Sequence, residues 1–284
     1  MTGSGLDAYP KGVPNYGLMA VGAHGIKPQS EDNPLALSLL FTGGRRPAPD
    51  MIARLSAAAS DTVSDTGRDQ AHGFSISHQP PISDGWIELL AAGMTFDLIG
   101  LAPMRGEAVP LFNNRFGFKS DFTAEPSEAI VLRPGLHIAG GQHIMPVVRV
   151  MAGLAAVLAT IPGVTGLCWH PARSLIEPRF FVRSIGAWLD GGAFPALGLT
   201  ALNPEIDGGL LSEGLAFFTG QELRIEPFPG AKPSDTAKLA IRLIHTMVES
   251  GPLEVPWETT DDHGHSYRLE PSANAKFVRV WRLS

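Results

Sequence analysis

The chain has little cysteine and little charge, and these two shortages exclude several classes of protein. One cysteine, Cys168, occurs in 284 residues, which excludes an internal disulfide framework and a cysteine-rich zinc site. Charged residues make up only 18% of the chain, and the net charge is −6. Nonspecific nucleic-acid binding needs clustered cations, so we expect no nucleic-acid partner. The 44% of apolar residues is enough for a hydrophobic core and excludes a mostly disordered chain.

Long apolar runs and targeting signals are also missing. The longest uninterrupted apolar stretch extends from Val150 to Ile161, about a dozen residues, whereas a bilayer span needs about 20. The N-terminal segment has no cationic start followed by an apolar run, which a signal peptide would require. The sequence therefore predicts a cytoplasmic protein without a membrane partner.

The common nucleotide-binding and hydrolase motifs are absent from the sequence. It contains no G-x-G-x-x-G after a strand, no P-loop, no H-E-x-x-H and no G-x-S-x-G. Dinucleotide, P-loop nucleotide, zincin and α/β-hydrolase functions lose their usual support, and we expect no cofactor.

Glycine and proline are abundant, with 32 and 24 residues, and they divide the chain into short segments with readable apolar patterns. Strands are predicted at 35–41, 74–78, 86–90, 94–101, 129–133, 164–169, 194–202, 210–218, 221–226, 267–269 and 277–283. Helices are predicted at 49–60, 142–161, 171–190 and 234–250. Helical crossovers and hairpins together indicate an α+β fold, a mixed β-sheet with helices packed mainly on one face.

The same pattern divides the chain into three parts. Residues 1–33 form an irregular lead, residues 34–126 a first α/β half and residues 127–284 a second one. Two ferredoxin-like halves that share one continuous sheet fit this pattern, and two separately packed domains fit it equally. Charged residues alternate with apolar ones in segment 221–226, which predicts a strand with one solvated face.

The first candidate site lies where a predicted strand ends and a predicted helix begins. Trp169 and His170 close the strand and Arg173 follows; ligands often bind at such strand ends in α/β sheets. Glu213 or Glu222 is the expected acidic partner in a binding site there. The simpler interpretation is a tryptophan that covers the core beside a solvated histidine. We assign no catalytic residue, because spacing alone cannot identify an acid–base pair.

The second candidate site is the run Asp261-Asp262-His263-Gly264-His265, which concentrates imidazoles and carboxylates. On a strand, His263 and His265 would lie on the same face and could bind a metal ion. A polar turn between two strands collects the same residue types for its geometry and solvation. The metal site requires a third ligand nearby, and without one the turn is the better interpretation.

A short motif lies between Ser212 and Leu223. It consists of Gly214-Leu215, then Phe218, then Glu222-Leu223. These positions resemble a bacterial family of uncharacterised proteins, the domain of unknown function 4261, and the likeness covers roughly residues 35–283. The glycine-rich N-terminal lead and the stretch 103–126 do not match it. The resemblance implies a soluble bacterial α+β protein and carries no activity, cofactor or catalytic residue.

Two functions from different classes remain open at this point. The first is a non-enzymatic protein-binding, adaptor or immunity-type accessory protein, which would use a sheet edge or an exposed apolar patch. The alternative is a hydrolase or transferase with an unfamiliar site near Trp169, His170 and Arg173. That enzyme would need a pocket where at least two of the predicted site residues converge.

Overall fold

The protein forms two mixed β-sheets with helices, which confirms the predicted α+β class. A computed structural model describes residues 35–66, 73–119, 126–230, 232–261 and 263–283. The predicted lead at 1–33 lies outside these described residues. Within the described ranges, no helix is both long enough and apolar enough to cross a membrane.

The first sheet has eight strands in the order β2-β3-β4-β6-β1-β7-β8-β5. They are β1 (Leu37–Phe41), β2 (Ser75–His78), β3 (Trp86–Ala91), β4 (Met94–Ile99), β5 (Asn114–Phe116), β6 (Glu128–Pro134), β7 (Val164–Trp169) and β8 (Ser174–Ile176). Strand β1 is nearly all apolar and completely buried, so it lies in the interior of the sheet, antiparallel to β6 and β7.

Three helices cover one face of the first sheet: α1 (Pro49–Thr66), α2 (Met145–Leu158) and α3 (Pro178–Leu189). Their apolar side chains share a core with Leu37, Leu39 and Phe41, which point to one side of β1. The opposite face, around Leu40, is covered by apolar side chains from the segment between β4 and β6. The prediction that helices pack mainly on one face is therefore confirmed.

The second sheet has six strands in the order β12-β13-β14-β11-β10-β9. They are β9 (Ala201–Pro204), β10 (Leu210–Glu213), β11 (Glu222–Ile225), β12 (Trp257–Thr260), β13 (Ser266–Pro271) and β14 (Phe277–Arg282). Helix α6 (Pro233–Ser250) packs on one face with its apolar stripe. On the other face, Arg224 forms ion pairs with Glu205, Asp207 and Glu226, as expected for the solvated face of this strand.

Short apolar runs account for the errors in the predicted elements. The predicted strand at 194–202 is wrong at its start, where Ala196–Leu199 form a helical turn, α4, that contains Gly198 at φ +117°. The predicted strand at 210–218 ends early, and Ala216–Thr219 form the helical turn α5. The predicted helix at 171–190 starts only at Pro178, after β8. Runs this short are compatible with a strand or a helix.

The boundary between the two sheets does not coincide with the boundary that the sequence predicts between the two halves, after residue 126. Strands β6, β7 and β8 follow residue 126 but pair within the first sheet. The second sheet takes all its strands from residue 201 onward. Strand β5 lies inside the stretch 103–126, for which no strand is predicted, and it pairs in parallel with β8.

Candidate functional site

Trp169 is part of the hydrophobic core. Its side chain is fully buried, and its ring contacts Phe217 edge-on and stacks on Phe218, with centroids 6.1 and 6.5 Å away. Its Nε1 has no hydrogen-bond partner within the described part of the chain. The neighbouring Cys168 is also buried, and burial raises the pKa of its thiol to about 12. Neither residue presents a reactive group to solvent.

His170 contacts a buried serine. Its Nε2 lies 2.8 Å from Ser38 Oγ, and its backbone N–H donates to Ala36 O. Burial lowers the pKa of His170, so the neutral imidazole predominates at pH 7. Because Ser38 is completely buried, this serine–histidine pair is closed to a substrate in this conformation.

Glu213 collects polar partners from both sheets. Its carboxylate accepts hydrogen bonds from Arg173 Nε at 2.5 Å, Asn114 Nδ2 at 3.1 Å and Asn203 Nδ2 at 3.0 Å. Asn114 lies in β5 and Arg173 directly precedes β8, both in the first sheet's part of the chain, whereas Asn203 and Glu213 belong to strands of the second sheet. The buried carboxylate is thereby compensated, and the cluster joins the two sheets. Two of the five predicted site residues, Arg173 and Glu213, do converge, but each neutralises the other.

Glu222 closes the turn that leads into α5. Its carboxylate accepts from the Oγ of Ser212 and from the backbone N–H groups of Gly214, Leu215 and Ala216. Burial raises the pKa of Glu222 to about 7, against the opposing effect of these hydrogen bonds. Ser212 and Glu213 are successive residues of a strand, so Glu213 points to the other side and the two acids do not meet.

The geometry of this turn explains the Gly-Leu and Glu-Leu motif physically. Gly214 has φ +88°, and a Cβ at this position would lie 2.7 Å from the Cβ of Ala172. The glycine permits both the backbone conformation and the close approach of the two segments. Glu222 supplies the acceptor for the turn's N–H groups. Both motif residues therefore have a structural role here.

His263 and His265 lie in a turn between β12 and β13. The Asp261 carboxylate accepts from the backbone N–H groups of both histidines, from His265 Nδ1 and from Tyr267 Oη. Burial alone would raise the pKa of Asp261, but these hydrogen bonds outweigh it and hold the pKa below its ordinary value. No group of three His, Cys, Asp or Glu side chains that could hold a metal ion occurs in the described ranges. The third ligand that the predicted metal site requires is therefore missing among these residues.

The turn forms one wall of a pocket of about 200 Å³, whose other walls are α6 and the end of β14. We call it the α6 pocket. Its cationic lining residues are Lys232, Lys238, Arg242 and Arg282, and its acidic ones are Asp235 and Asp261. Sequence reasoning missed it because these cations are separated by up to fifty residues. The only local signal was the spacing of Lys238 and Arg242, which places both on one face of a helix.

A second depression, of about 790 Å³ and more open to solvent, lies between residues 105–109 and 126–128. Its lining contains charges of both signs, and Glu128 is already paired with Arg46 at 3.0 Å.

Comparisons with known proteins identify no relative of this chain: no family model matches it, and no match was found among curated proteins or solved structures. The resemblance to the domain of unknown function 4261 stays a prediction. Function must therefore be argued from this chain's own surfaces.

Proposed function

We propose that the protein is a non-enzymatic binding protein of the adaptor or accessory type, which binds an extended segment of a protein partner along β12. The observation that carries this proposal is an exposed Val-Pro-Trp run that leads directly into an edge strand. Val255 is 68% exposed and Trp257 is 39% exposed. Among the described residues, strand β12 pairs only with β13, so the outer backbone groups of Glu258 have no strand partner, while the outer C=O of Thr260 accepts a hydrogen bond from Arg242. An extended peptide can add a strand at such an edge.

The hydrogen-bond pattern indicates which backbone groups of β12 face outward. Asp261 N–H donates inward to His265 O, whereas Ser266 O accepts from Leu283 N–H on the far side of β13. In an antiparallel ladder, successive residues alternate between inward and outward bonding. By this alternation, Glu258 directs its N–H and C=O toward the open edge, where a partner strand would pair.

The side chains along this edge favour a partner that alternates apolar and basic residues. Glu254 and Glu258 are exposed on either side of the Val-Pro-Trp run. Glu258 lies 3.8 Å from Arg268, but its side chain is 61% exposed and accessible to a second cation. The net charge of −6 would attract a basic partner at longer range.

The arrangement of the predicted site residues gives the alternative, a hydrolase or transferase, less support. Trp169 is fully buried, His170 contacts a buried serine, and Glu213 is compensated by Arg173. Glu222 accepts hydrogen bonds from a turn, on the side of β10 opposite to the side chain of Glu213. These residues do not converge on a common pocket.

Selection from a phage-displayed library of short peptides tests the proposal. We expect the selected peptides to alternate apolar and basic residues, and to lose binding to Glu258→Pro, which removes the outward N–H without breaking the ladder to β13. The Glu258→Gln variant keeps the backbone N–H and removes only the charge, so its comparison with Glu258→Pro distinguishes the two contributions to binding. Leu136→Ser is the matched control, because Leu136 is 88% exposed elsewhere. Peptides without alternation, or equal binding to Glu258→Pro, would contradict the proposal.

A further inference from the structure

We propose that Gln221 is a positioning residue for the peptide edge: its side-chain amide holds Leu253 in place and thereby keeps the exposed Val-Pro-Trp run in its binding conformation before a partner arrives. This inference rests on the proposed function, because it concerns the same edge. Gln221 directly precedes β11, and its side chain is buried. It therefore acts on a partner only through the run.

The side-chain amide of Gln221 forms two hydrogen bonds with the backbone of one residue. Leu253 N–H donates to Gln221 Oε1 at 2.7 Å, and Gln221 Nε2 donates to Leu253 O at 3.0 Å. A carboxamide carries both an acceptor and N–H donors, so it can pair with a backbone residue as a neighbouring strand does. We call this pair of hydrogen bonds the Gln221 clamp.

The clamp is the main attachment of the connector between α6 and β12. This connector consists of residues 251–256, all of which the structure describes. Gly251 N–H still donates to the last turn of α6, and beyond it only Leu253 forms hydrogen bonds within the connector. Leu253 is also the only residue of 252–258 that is not exposed, and its side chain packs on the core. The position of the run therefore depends on one anchored residue, two positions before it.

The end of α6 does not fix the direction of the connector. Gly251, the first residue after the helix, has φ +84°, and nothing lies within 4 Å of the position that a Cβ would occupy. Glycine adopts several backbone conformations at low cost, so the chain can change direction here. Pro252 and Pro256 restrict their own backbone angles but have no N–H to donate. Without the clamp, we expect the run to occupy several positions relative to β13.

Gln221 can hold the connector because its own backbone is fixed. Its N–H donates to Thr219 Oγ1 at 3.2 Å, and the next residue, Glu222, donates from its N–H to Lys276 O at 2.9 Å. Strand β11 begins at Glu222 and lies between β14 and β10, in the interior of the second sheet. The clamp therefore connects an exposed run to the interior of the sheet. A partner then binds a run that is already ordered, which lowers the entropy cost of binding.

Substitution of Gln221 by methionine separates the clamp from the rest of the edge. Gln221→Met keeps the length of the side chain and removes both hydrogen bonds. Thr200→Val is the matched control, because it also removes a buried side-chain hydrogen bond, from Thr200 Oγ1 to Ala196 O at 2.6 Å. Thr200 directly precedes β9, at the opposite edge of the second sheet from β12. If Gln221→Met does not fold, Gln221→Glu takes its place, since it keeps the acceptor but loses the donor to Leu253 O.

Amide hydrogen exchange of the free protein tests the clamp without any partner. We expect the amides of Leu253 and Trp257 to exchange about tenfold faster in Gln221→Met than in the wild type, because two hydrogen bonds that restrain the run are lost. The amide of Asp261, beyond the other end of β12, should exchange as before. Unchanged exchange at Leu253, or an equal increase in Thr200→Val, would overturn the proposal.

Peptide binding then tests what the clamp contributes to the edge. For a peptide from the selection described above, we expect Gln221→Met to bind about tenfold more weakly, through slower association at an unchanged dissociation rate. Thr200→Val should bind as the wild type does, because a loss of stability alone changes neither rate while the protein is folded. Equal binding by Gln221→Met and the wild type would overturn the positioning role and leave the proposed function intact. A wild type that binds no peptide would overturn the proposed function and the positioning role together.

Discussion

In the turns at Glu222 and at Asp261, a carboxylate accepts hydrogen bonds from the backbone N–H groups of the turn, but the two turns have different surroundings. Each is built around one carboxylate that accepts four hydrogen bonds, three of them from backbone N–H groups at Glu222 and two at Asp261. Yet the pKa of Glu222 is raised to about 7, whereas that of Asp261 is held below its ordinary value. The same number of hydrogen bonds therefore leads to opposite charge preferences.

The difference between the two turns comes from burial. The Glu222 carboxylate is enclosed where β10, β11 and α5 meet, and loss of hydration disfavours its charged form more than four neutral donors favour it. The Asp261 turn lies at the surface beside the α6 pocket, where the cost of losing hydration is smaller. A count of hydrogen bonds alone does not determine the charge of a carboxylate in this protein.

The largest expected effect is a loss of stability with rising pH that depends on Glu222. Its pKa is higher in the folded protein than the 4.5 of an ordinary glutamate, so its protonation stabilises the fold below pH 4.5, and this contribution is lost as the pH rises through about 7. Relative to Glu222→Gln, the wild type should lose on the order of 3 kcal/mol of unfolding free energy over this interval. Urea unfolding of both proteins at several pH values measures the difference. A difference that does not change with pH would show that burial does not dominate at Glu222.

The second prediction compares one glycine in each turn. Both Gly214 and Gly264 have positive φ, but only Gly214 has a neighbour that a Cβ would strike, at 2.7 Å, while nothing lies within 4 Å at Gly264. Gly264→Ala should cost about 1 kcal/mol for the backbone conformation. Gly214→Ala should cost about 2 kcal/mol more, because Ala172 must also move. Urea unfolding measures both, and equal costs would mean that the two segments separate easily.

The smallest expected effect is at Asp261, and its pH dependence has the opposite sign. The pKa of Asp261 is lower in the folded protein than its ordinary value of 3.8, so its charge stabilises the fold above that pH and the contribution is lost as the pH falls below it. Asp261→Asn should cost about 1 kcal/mol at pH 7, from weakened hydrogen bonds. The cost should shrink in acid. Urea unfolding of the variant at pH 7 and below pH 4 provides the measurement, and a cost that grows in acid would contradict the assignment.

The elements that the sequence predicted well are those with a long apolar pattern. Strand β7 has the predicted bounds, and α6 differs from its predicted start by one residue. Gly251 directly follows the last residue of α6, and Lys232 precedes its first residue. The short strands β5 and β12 were missed because three or four residues carry too little pattern to distinguish a strand from a loop.

The candidate sites were predicted less well, for a different reason. Either Glu213 or Glu222 was expected as the acidic partner near Arg173, and Glu213 is the one that contacts it. The hydrogen bond that Asn114 donates to Glu213 from 99 positions away was not expected. The two histidines were recognised, but their place beside Lys238 and Arg282 was not. Partners that come from distant segments leave no pattern in the local sequence.

The sequence by itself determined the α+β class, the main helices and the solvated face of β11, because the spacing of apolar residues sets which face of an element can be buried. Only the tertiary structure decided that the chain forms two sheets, that Glu222 caps a turn, and that four dispersed cations line one pocket. Those outcomes depend on which distant segments come together, and on how much water they exclude from each charge that they bury.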